Sequence, residues 1–314
     1  MNLESRENFR ETLETLNMGK TAILFPGQGA QTVGMGRELY DASAKIREMY
    51  AQANEILGYD LTKICLEGPA EVLDATDQSQ PAIFLTSLAA LEALKESDPE
   101  ALANCVATTG LSLGEYTALT FAGVMSFEDG LKLVRLRGEA MQEASDAVPS
   151  GMASVLGLDV ETVRGLCAEV DAEDLTIANY LCSGNLVVSG ARASVDKLME
   201  AALAAGAMKV VGLKVAGAFH TSFMSPAVEQ MRPIIEAMNF SAPKIPVVSG
   251  VDARFHSDPN EIKNILIRQI SSPVLWEDAM RFLIGEGVET FYEVGPGRVL
   301  RGLMKRIDRK AKMA

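Results

Sequence analysis

The sequence predicts an α/β fold in which a mainly parallel sheet is covered by helices on both faces. Strand-like apolar runs alternate with helical segments of about 10–20 residues, which is the order of elements in parallel sheets. Apolar residues make up 48% of the 314-residue chain and charged residues 23%, as in folded globular proteins. The middle of the chain departs from this alternation and predicts a separate small domain.

The first half of the chain predicts two strands, each followed by helices. In chain order these are strand Thr21–Phe25, helices near Arg37–Leu57 and Pro81–Lys95, strand Cys105–Thr109, a helix from Leu113 and a helix after Ser126. Gly123 is expected to end the helix that begins at Leu113, because glycine readily adopts the left-handed conformation that follows a helix. Asp129, three residues after Ser126, has the spacing of a capping box.

The middle of the chain predicts a β-α-β-β-α-β order. Its elements are strand Met152–Gly157, helix Val160–Glu169, strands Leu175–Asn179 and Leu186–Ser189, helix Ala193–Ala205 and strand Met208–Leu213. This order is that of a ferredoxin-like unit. Residues 147–216 are therefore predicted to form a small domain inserted into a large one of residues 1–146 and 217–314. A ligand cleft is expected between the two domains.

The last third returns to the α/β pattern. Its predicted elements are a helix near Phe223–Met238, strand Ile245–Ser249, two helices between Asn260 and Gly285, and strand Glu289–Val294. These segments are expected to complete the sheet of the large domain.

Charge and cysteine content exclude several classes of protein. The chain has 29 basic and 42 acidic residues, a net charge of −13, which argues against a nucleic-acid partner. No run approaches the about 18–20 apolar residues of a membrane helix, so no membrane partner is expected. The segment Asn2–Gly19 is too charged for a signal peptide. The four cysteines lack C-x-x-C spacing and a histidine cluster, so reduced thiols and no metal site are predicted.

The strongest local signal is the G-x-S-x-G pattern of Gly110–Gly114, between an apolar strand and a helix. Such a turn presents Ser112 as a nucleophile, and the glycines let it form without side-chain clashes. The free amide of Leu113 at the helix start would stabilise an oxyanion. The alternative is an ordinary glycine-rich turn.

A serine nucleophile needs a base, and the chain has two histidines, His220 and His256. His220 follows the small-residue stretch Ala216–Ala218 and is the better candidate, although a hydrogen-bonded core histidine is the alternative. His256 lies in a polar loop and is expected to face water. The sequence indicates no acidic residue as the third member of a catalytic triad, so a backbone carbonyl or amide is expected to orient the base.

Arg137 lies in the middle of the apolar half of its predicted helix, at about 100° per residue. Its neighbours three and four positions away include no carboxylate. An inward guanidinium without a partner is costly, and its planar fork suits a carboxylate. Either a carboxylate from elsewhere in the fold forms a structural salt bridge, or Arg137 binds the carboxylate of a substrate.

Three further features are weaker candidates. The loop Phe25–Gln31 follows a strand, fails the dinucleotide-binding pattern because Thr32 replaces a glycine, and could supply a second oxyanion amide from Gln28. The carbonyls that end a helix near Gln269 could hold a histidine. The C-terminal cluster of basic residues is either a solvated face or a site for a phosphate-bearing ligand or acidic partner. Its members are Arg298, Arg301, Lys305, Arg306, Arg309, Lys310 and Lys312.

Taken together, these motifs resemble malonyl-CoA:acyl carrier protein transacylases from about residue 21 to residue 307. The matching stretches are Phe25–Gln31, Gly110–Glu115, Leu133–Gln142, Phe219–His220, Arg268–Trp276 and Glu293–Gly297. Two segments, Ile177–Cys182 and Ala216–Met224, look most like the plastid members of plants and algae. The resemblance implies a hydrolase-like α/β domain with a ferredoxin-like insert, in agreement with the element order.

The resemblance also implies catalytic roles. It makes Ser112 the nucleophile and His220 the base, with the amides of Gln28 and Leu113 as the oxyanion hole. The main-chain carbonyl of Gln269 would orient the base.

For the substrate, the resemblance implies that Arg137 binds the malonyl carboxylate and that Asn179 lines the site, while Lys209 and Arg306 meet the CoA phosphates. Departures from the family pattern at Leu111, Leu181, Asn185 and Gly250 affect the polar lining of the cleft. They leave the serine, the base and Arg137 in place.

The implied reaction is a ping-pong transfer of malonyl from malonyl-CoA to the phosphopantetheine thiol of acyl carrier protein, through a malonyl-serine ester. Malonyl-CoA is a substrate, and no cofactor is expected. The expected state is a monomer in the plastid stroma that supplies fatty acid synthesis, with a bacterial-type cytoplasm as the alternative location. A serine hydrolase such as a thioesterase, an inactive carrier-docking subunit and an acyltransferase of polyketide synthesis are the rival interpretations.

Overall fold

The computed structural model of the protein describes residues 19–314. Residues 2–18 of the charged segment Asn2–Gly19, for which the sequence predicts no signal peptide, lie outside the described residues. Within residues 19–314, no helix has both the length and the apolar character needed to cross a bilayer.

A six-stranded sheet forms the centre of the large domain, in the order β10-β9-β1-β2-β7-β8. Its strands are β1 Thr21–Phe25, β2 Cys105–Gly110, β7 Val247–Val248, β8 Phe255–His256, β9 Thr290–Glu293 and β10 Lys312–Met313. All neighbouring strands run parallel except β8, which is antiparallel to β7 at the edge. The predicted mainly parallel sheet is confirmed.

Strand β1 shows why both faces of this sheet are covered. Its five residues are buried, and their side chains alternate between two cores. Ile23 and Phe25 join one apolar cluster, while Ala22 and Leu24 join the other. A parallel strand covered on both faces needs such a continuous apolar run.

The four-stranded antiparallel sheet of the small domain has the order β4-β5-β3-β6, which is the ferredoxin-like arrangement that the element order predicts. Its strands are β3 Ser150–Leu156, β4 Leu175–Cys182, β5 Asn185–Ala191 and β6 Lys209–Gly212. The sheet lies inside the predicted range 147–216, and the exact division of the chain into domains stays a prediction. Backbone hydrogen bonds from Tyr180 to Val274 (2.9 Å) and from Val274 to Ala178 (2.8 Å) join β4 to the large domain.

Helices cover both sheets. Those of the described residues are α1 Arg37–Ala42, α2 Ala44–Leu57, α3 Leu61–Glu67, α4 Ala70–Asp74, α5 Thr76–Ser97, α6 Pro99–Ala103, α7 Leu113–Phe121, α8 Phe127–Ala147, α9 Val160–Asp171, α10 Arg192–Ala204, α11 Ser225–Ala237, α12 Pro259–Gln269, α13 Trp276–Gly285 and α14 Val299–Ile307, with a 3₁₀ turn at Ser222–Met224. The predicted helix that follows the serine motif is present as α7, and the predicted helix that contains Arg137 is present as α8.

Two predicted helices differ from the structure. The single helix expected near Arg37–Leu57 is divided by Ser43, whose extended backbone ends α1 and whose side chain accepts a hydrogen bond from the Ile46 amide at the start of α2. Helix α5 begins five residues before Pro81, which it contains. Proline removes one backbone donor, and here it does not mark the helix start that the sequence suggested.

Four helices and two strands of the described residues have no counterpart in the prediction: α3, α4, α6, α14, β8 and β10. Helices α3, α4 and α6 and strands β8 and β10 are each seven residues or fewer, too short to show a periodicity. Helix α14 carries part of the basic cluster on its exposed face, while Leu300, Leu303, Met304 and Ile307 are buried beneath it.

Candidate active site

Ser112 lies on a tight turn between β2 and α7. Its backbone is strained, with φ 51° and ψ −100°, a conformation that residues with a side chain seldom adopt. The two flanking glycines are required by close packing, since a Cβ on Gly110 would lie 2.0 Å from the carbonyl carbon of Gly114. A Cβ on Gly114 would lie 2.1 Å from the carbonyl oxygen of Phe25. The turn therefore brings the serine against the carboxyl end of β1.

His220 shares a hydrogen bond with the serine. Its Nε2 lies 2.8 Å from Ser112 Oγ. On the other side of the ring, Nδ1 donates to the carbonyl oxygens of Gln269 at 2.9 Å and Ser272 at 3.1 Å. Because two carbonyls hold the proton on Nδ1, Nε2 is left as the acceptor that a general base needs.

The surroundings of His220 keep its ring neutral. The side chain is buried, and burial together with the positive charge of Arg137 lowers its pKa from the ordinary value of 6.5 to about 4, against the opposing effect of the two carbonyls. At neutral pH the imidazole is therefore ready to accept a proton.

Arg137 reaches the same serine from α8. It is 1% exposed, as its place on the apolar half of the helix predicts. Its Nη2 donates to Ser112 Oγ at 3.0 Å and to Gln269 Oε1 at 3.1 Å, while Nη1 donates to Gln80 Oε1 at 2.7 Å. The guanidinium also stacks over the Tyr116 ring, 5.0 Å from its centroid.

The structural salt bridge that was the alternative for Arg137 is absent from residues 19–314. The partners of its guanidinium are neutral oxygens, and its Nε is buried without a partner in that range. Burial lowers the pKa of Arg137 from its ordinary value. A buried cation with an unpaired donor is a site that a carboxylate would fill with charge-assisted hydrogen bonds.

The amide of Leu113 begins α7, where backbone N–H groups have no partner within the helix. The loop that carries Gln28 packs against the same turn, because a Cβ on Gly27 would lie 2.2 Å from the carbonyl oxygen of Leu111. The Gln28 side chain turns elsewhere and donates to Thr76 Oγ1 at 3.4 Å. The Leu113 amide directly follows Ser112, and Gln28 follows the glycine that packs against Leu111. The oxyanion role of both amides stays a prediction.

The remaining predicted residues lie at different distances from this centre. Asn179 is on β4 and pairs with Val274, which comes two residues after Ser272, whose carbonyl accepts from His220. The Asn179 Oδ1 is buried without a hydrogen-bond partner among the described residues. Lys209 and Arg306 are exposed, on the edge strand β6 and on α14. Neither is hydrogen-bonded to Ser112, His220 or Arg137, and their contact with CoA phosphates stays a prediction.

His256 does not face water, contrary to the expectation from its polar loop. It is 9% exposed on β8, because the segment folds back to pair antiparallel with β7. Its Nε2 lies 3.0 Å from Asp252 Oδ1, and its Nδ1 lies 3.1 Å from Glu261 Oε1. His256 therefore lies between two carboxylates and has no hydrogen bond to Ser112.

Sequence reasoning missed the side-chain roles of Glu115, Gln269 and Gln80 and the main-chain carbonyl of Ser272 around the centre. The Gln269 side chain donates from Nε2 to the Ser112 carbonyl at 2.9 Å and to Glu115 Oε2 at 3.1 Å. A signal for Glu115 existed, since it is the only charged residue in the otherwise apolar and neutral helix Leu113–Phe121. The others are uncharged residues that no spacing distinguishes.

No set of three or more histidine, cysteine, aspartate or glutamate side chains within residues 19–314 is grouped so that it would bind a metal ion. The centre built around Ser112 consists of a hydroxyl, an imidazole held by carbonyls, and a buried cation. Such a set can transfer an acyl group through a serine ester and select an acyl group that carries a negative charge.

Comparisons with known proteins agree with this chemistry. A family model described as "Acyl transferase domain" matches residues 23–313. A Bacillus subtilis protein named "Malonyl CoA-acyl carrier protein transacylase" is 41% identical over 299 residues, which cover 94% of this chain and 92% of that protein. The mitochondrial protein of that kind from Homo sapiens is also 41% identical, over 304 residues that cover 93% of this chain and 78% of the human protein.

A solved complex of a malonyl-transacylase with a type II PKS acyl-carrier protein contains a chain with the same fold. The TM-score is 0.89 at 37% identity, and the match covers 94% of this chain and 95% of the other. The predicted fold class, an α/β domain with a second, small antiparallel sheet, is thereby confirmed.

Proposed function

This chain belongs to the malonyl-CoA:acyl carrier protein transacylase family, and we propose that it moves malonyl from malonyl-CoA to the phosphopantetheine thiol of an acyl carrier protein. One observation carries the proposal. The Ser112 hydroxyl oxygen lies 2.8 Å from His220 Nε2 and 3.0 Å from Arg137 Nη2, so that a nucleophile, its base and a carboxylate-binding cation meet at one atom.

The first half-reaction forms the acyl-enzyme. His220 Nε2 accepts the Ser112 proton while Oγ attacks the thioester carbonyl of malonyl-CoA, and the Leu113 and Gln28 amides stabilise the oxyanion. Collapse of the tetrahedral intermediate breaks the C–S bond, and the CoA thiolate leaves with the proton from His220. General-base help of this kind contributes about 10²–10⁴-fold to the rate, and one oxyanion donor about 10²–10³-fold.

The second half-reaction reverses these steps with a different thiol. His220 accepts the proton of the carrier's phosphopantetheine thiol, whose sulfur attacks the malonyl-Ser112 ester. The ester C–O bond breaks, and Ser112 Oγ takes the proton back from the imidazolium. The neutral state of His220 suits both halves, since each begins with proton acceptance.

Arg137 is proposed to select the acyl group. A malonyl carboxylate would receive hydrogen bonds from its buried guanidinium, whose Nε–H lacks a partner within the described residues. An acetyl group would leave that donor unpaired in the closed complex, which costs free energy. Discrimination therefore follows from the cost of an unpaired buried cation.

Two rival functions differ in the fate of the acyl group. A thioesterase would release free malonate from malonyl-CoA without a carrier. A carrier-docking subunit without activity would release no CoA, and it would have no need of the Ser112–His220 pair.

Rapid mixing with malonyl-CoA separates these functions. The proposal predicts a burst of free CoA equal to the enzyme concentration, followed by near arrest when no carrier is present. Addition of acyl carrier protein bearing phosphopantetheine is expected to restart CoA release and to give malonyl-carrier. Continued production of malonate without a carrier would contradict the proposal, as would the absence of a burst.

The finer assignments are also proposals. Fatty acid synthesis is the proposed destination of the malonyl group, with polyketide synthesis as the alternative. A monomer stays the predicted oligomeric state. The relatives reported above are bacterial and mitochondrial, so the plastid stroma and its alternative, a bacterial-type cytoplasm, stay predictions.

A further inference from the structure

The carboxylate of Glu115 is a buried group that the proposed mechanism does not use. It lies on α7, three residues after Ser112, and is 2% exposed. No lysine, arginine or histidine of residues 19–314 forms an ion pair with it. Burial raises its pKa, and hydrogen bonds from its neighbours oppose that rise. A carboxyl group in such a place costs free energy unless its hydrogen bonds compensate.

The hydrogen-bond partners of Glu115 among residues 19–314 are donors. Its Oε2 accepts from the backbone amide of Gly250 at 3.2 Å and from Gln269 Nε2 at 3.1 Å, and the Ser249 hydroxyl is a further partner. Glu115 is therefore an acceptor for an amide side chain that belongs to the catalytic centre.

The Gln269 amide has one orientation that satisfies its neighbours. Its NH₂ group faces two acceptors, Glu115 Oε2 and the Ser112 carbonyl, while its Oε1 faces the Arg137 guanidinium. The reverse orientation would turn the NH₂ group toward the cation and the carbonyl oxygen toward two other oxygens. Glu115 supplies one of the two contacts that distinguish these orientations.

Through this amide, Glu115 is one residue away from Arg137. Gln269 Oε1 accepts from Nη2, the same nitrogen that donates to Ser112 Oγ. The direction of the guanidinium fork thus depends on where that oxygen lies. A misplaced guanidinium would form poorer hydrogen bonds with a malonyl carboxylate, whereas the binding of a neutral acyl group would not change.

We propose that Glu115 is a positioning residue, which orients the Gln269 amide and thereby directs the Arg137 fork, so that it contributes to the preference for malonyl over acetyl. This inference rests on the proposed function of the Ser112 centre. The competing explanation is purely structural, namely that Glu115 holds the Gly250 loop against α7, in which case its loss would slow transfer of both acyl groups alike.

Two matched variants separate the hydrogen bond from the fold. Glu115→Gln keeps an oxygen that can accept from Gly250 and Gln269, whereas Glu115→Met fills a similar volume without an acceptor. The measurement is the rate at which the acyl-Ser112 ester forms from malonyl-CoA and from acetyl-CoA. We expect the malonyl-to-acetyl ratio to fall about tenfold in Glu115→Met and to stay within about threefold of wild type in Glu115→Gln. An equal loss for both acyl groups in Glu115→Met would overturn the proposal.

A second background tests whether the effect passes through Arg137. In Arg137→Ala, the added Glu115→Met substitution is expected to leave the malonyl-to-acetyl ratio unchanged, because the fork is no longer present. A further fall in the ratio would show that Glu115 acts by another route and would overturn the proposal.

Should Glu115→Met not fold, as judged by thermal unfolding, Glu115→Asp takes its place. It keeps the charge and withdraws the oxygens by about 1.5 Å, one C–C bond. The same fall in the ratio is then required, and an unchanged ratio overturns the proposal. Failure of the proposed function would look different, since wild type would form no malonyl-Ser112 ester, whereas failure of the Glu115 proposal leaves wild-type acylation intact.

Discussion

The two histidines of this protein are both buried, yet they are held in opposite ways. Around His220 the acceptors are main-chain carbonyls, and the charge that lowers its pKa is the cation of Arg137. Around His256 the partners are the carboxylates of Asp252 and Glu261. Carbonyl acceptors fix the tautomer of a ring without favouring its charged form as strongly as carboxylates do.

The difference explains why only one of the two histidines suits a base. His220 is kept neutral and presents Nε2 to the Ser112 hydroxyl, so its ring can accept a proton during the reaction. His256 lies within 3.1 Å of the carboxylates of Asp252 and Glu261, and no hydroxyl or thiol nucleophile of the described residues is hydrogen-bonded to it. The pattern of acceptors, more than burial, distinguishes a base from a structural histidine here.

Substitution of each histidine is the largest expected effect. His220→Ala is expected to slow the burst of CoA release from malonyl-CoA by about 10²–10⁴-fold, because no base remains for Ser112. His256→Ala is expected to stay within about threefold of wild type. Stopped-flow measurement of free CoA compares the two. A comparable loss in His256→Ala would contradict the comparison of the two histidines.

Substitution of the cation beside His220 is expected to change selectivity. Arg137→Ala removes charge-assisted hydrogen bonds to the malonyl carboxylate, so acylation by malonyl-CoA is expected to fall about tenfold to a hundredfold. Acylation by acetyl-CoA is expected to fall much less. Initial rates with the two thioesters give the ratio, and equal losses would refute a role of Arg137 in binding the carboxylate.

The pH dependence of acylation tests the electrostatic part of the comparison. Since His220 must be neutral to act as a base, kcat/KM is expected to decline only as pH falls toward about 4. In Arg137→Ala the decline is expected at higher pH, between about 4 and 6.5, because one of the two causes that lower the pKa is removed while burial remains. A decline at the same pH in both proteins would show that the charge of Arg137 does not reach the imidazole.

The protonation of His220 is also expected to change the stability of the fold, with a smaller effect than on acylation. The unfolded chain takes up a proton on His220 near pH 6.5, whereas the folded chain does so only near pH 4. The contribution of the neutral His220 ring to the free energy of unfolding is therefore fully present above pH 6.5 and is lost as pH falls toward about 4. Urea unfolding of wild type and His220→Gln is expected to show a steeper loss in wild type over this interval. Parallel curves would contradict the buried neutral state.

The parts of the molecule that depend on local sequence were predictable. Strand β1 has the predicted bounds, because a short apolar run between Lys20 and the Pro26-Gly27 turn specifies it by itself. The turn at Ser112 follows from two glycines whose missing side chains allow the close approach of strand and helix. The inward direction of Arg137 follows from its place on an amphipathic helix.

The parts that depend on distant packing were not predictable. Glu115 and the Gln269 side chain meet across 154 residues of sequence, and nothing in either segment indicates the other. The burial of His256 depends on the pairing of β7 with β8. The sequence predicts a strand around β7, whereas β8 has two residues and is too short to leave a pattern. Composition predicted a polar loop there, and long-range pairing made it part of the interior.

The central claim is that Ser112 carries the acyl group while His220 and Arg137 act on the same oxygen. Intact-protein and peptide mass spectrometry after brief exposure to malonyl-CoA, with wild type and Ser112→Ala side by side, tests it most directly. We predict one malonyl group on wild type, located on the peptide that contains Ser112, and none on the variant. A malonyl adduct that survives in Ser112→Ala, or a wild-type protein that stays unmodified while CoA is released, would contradict the claim.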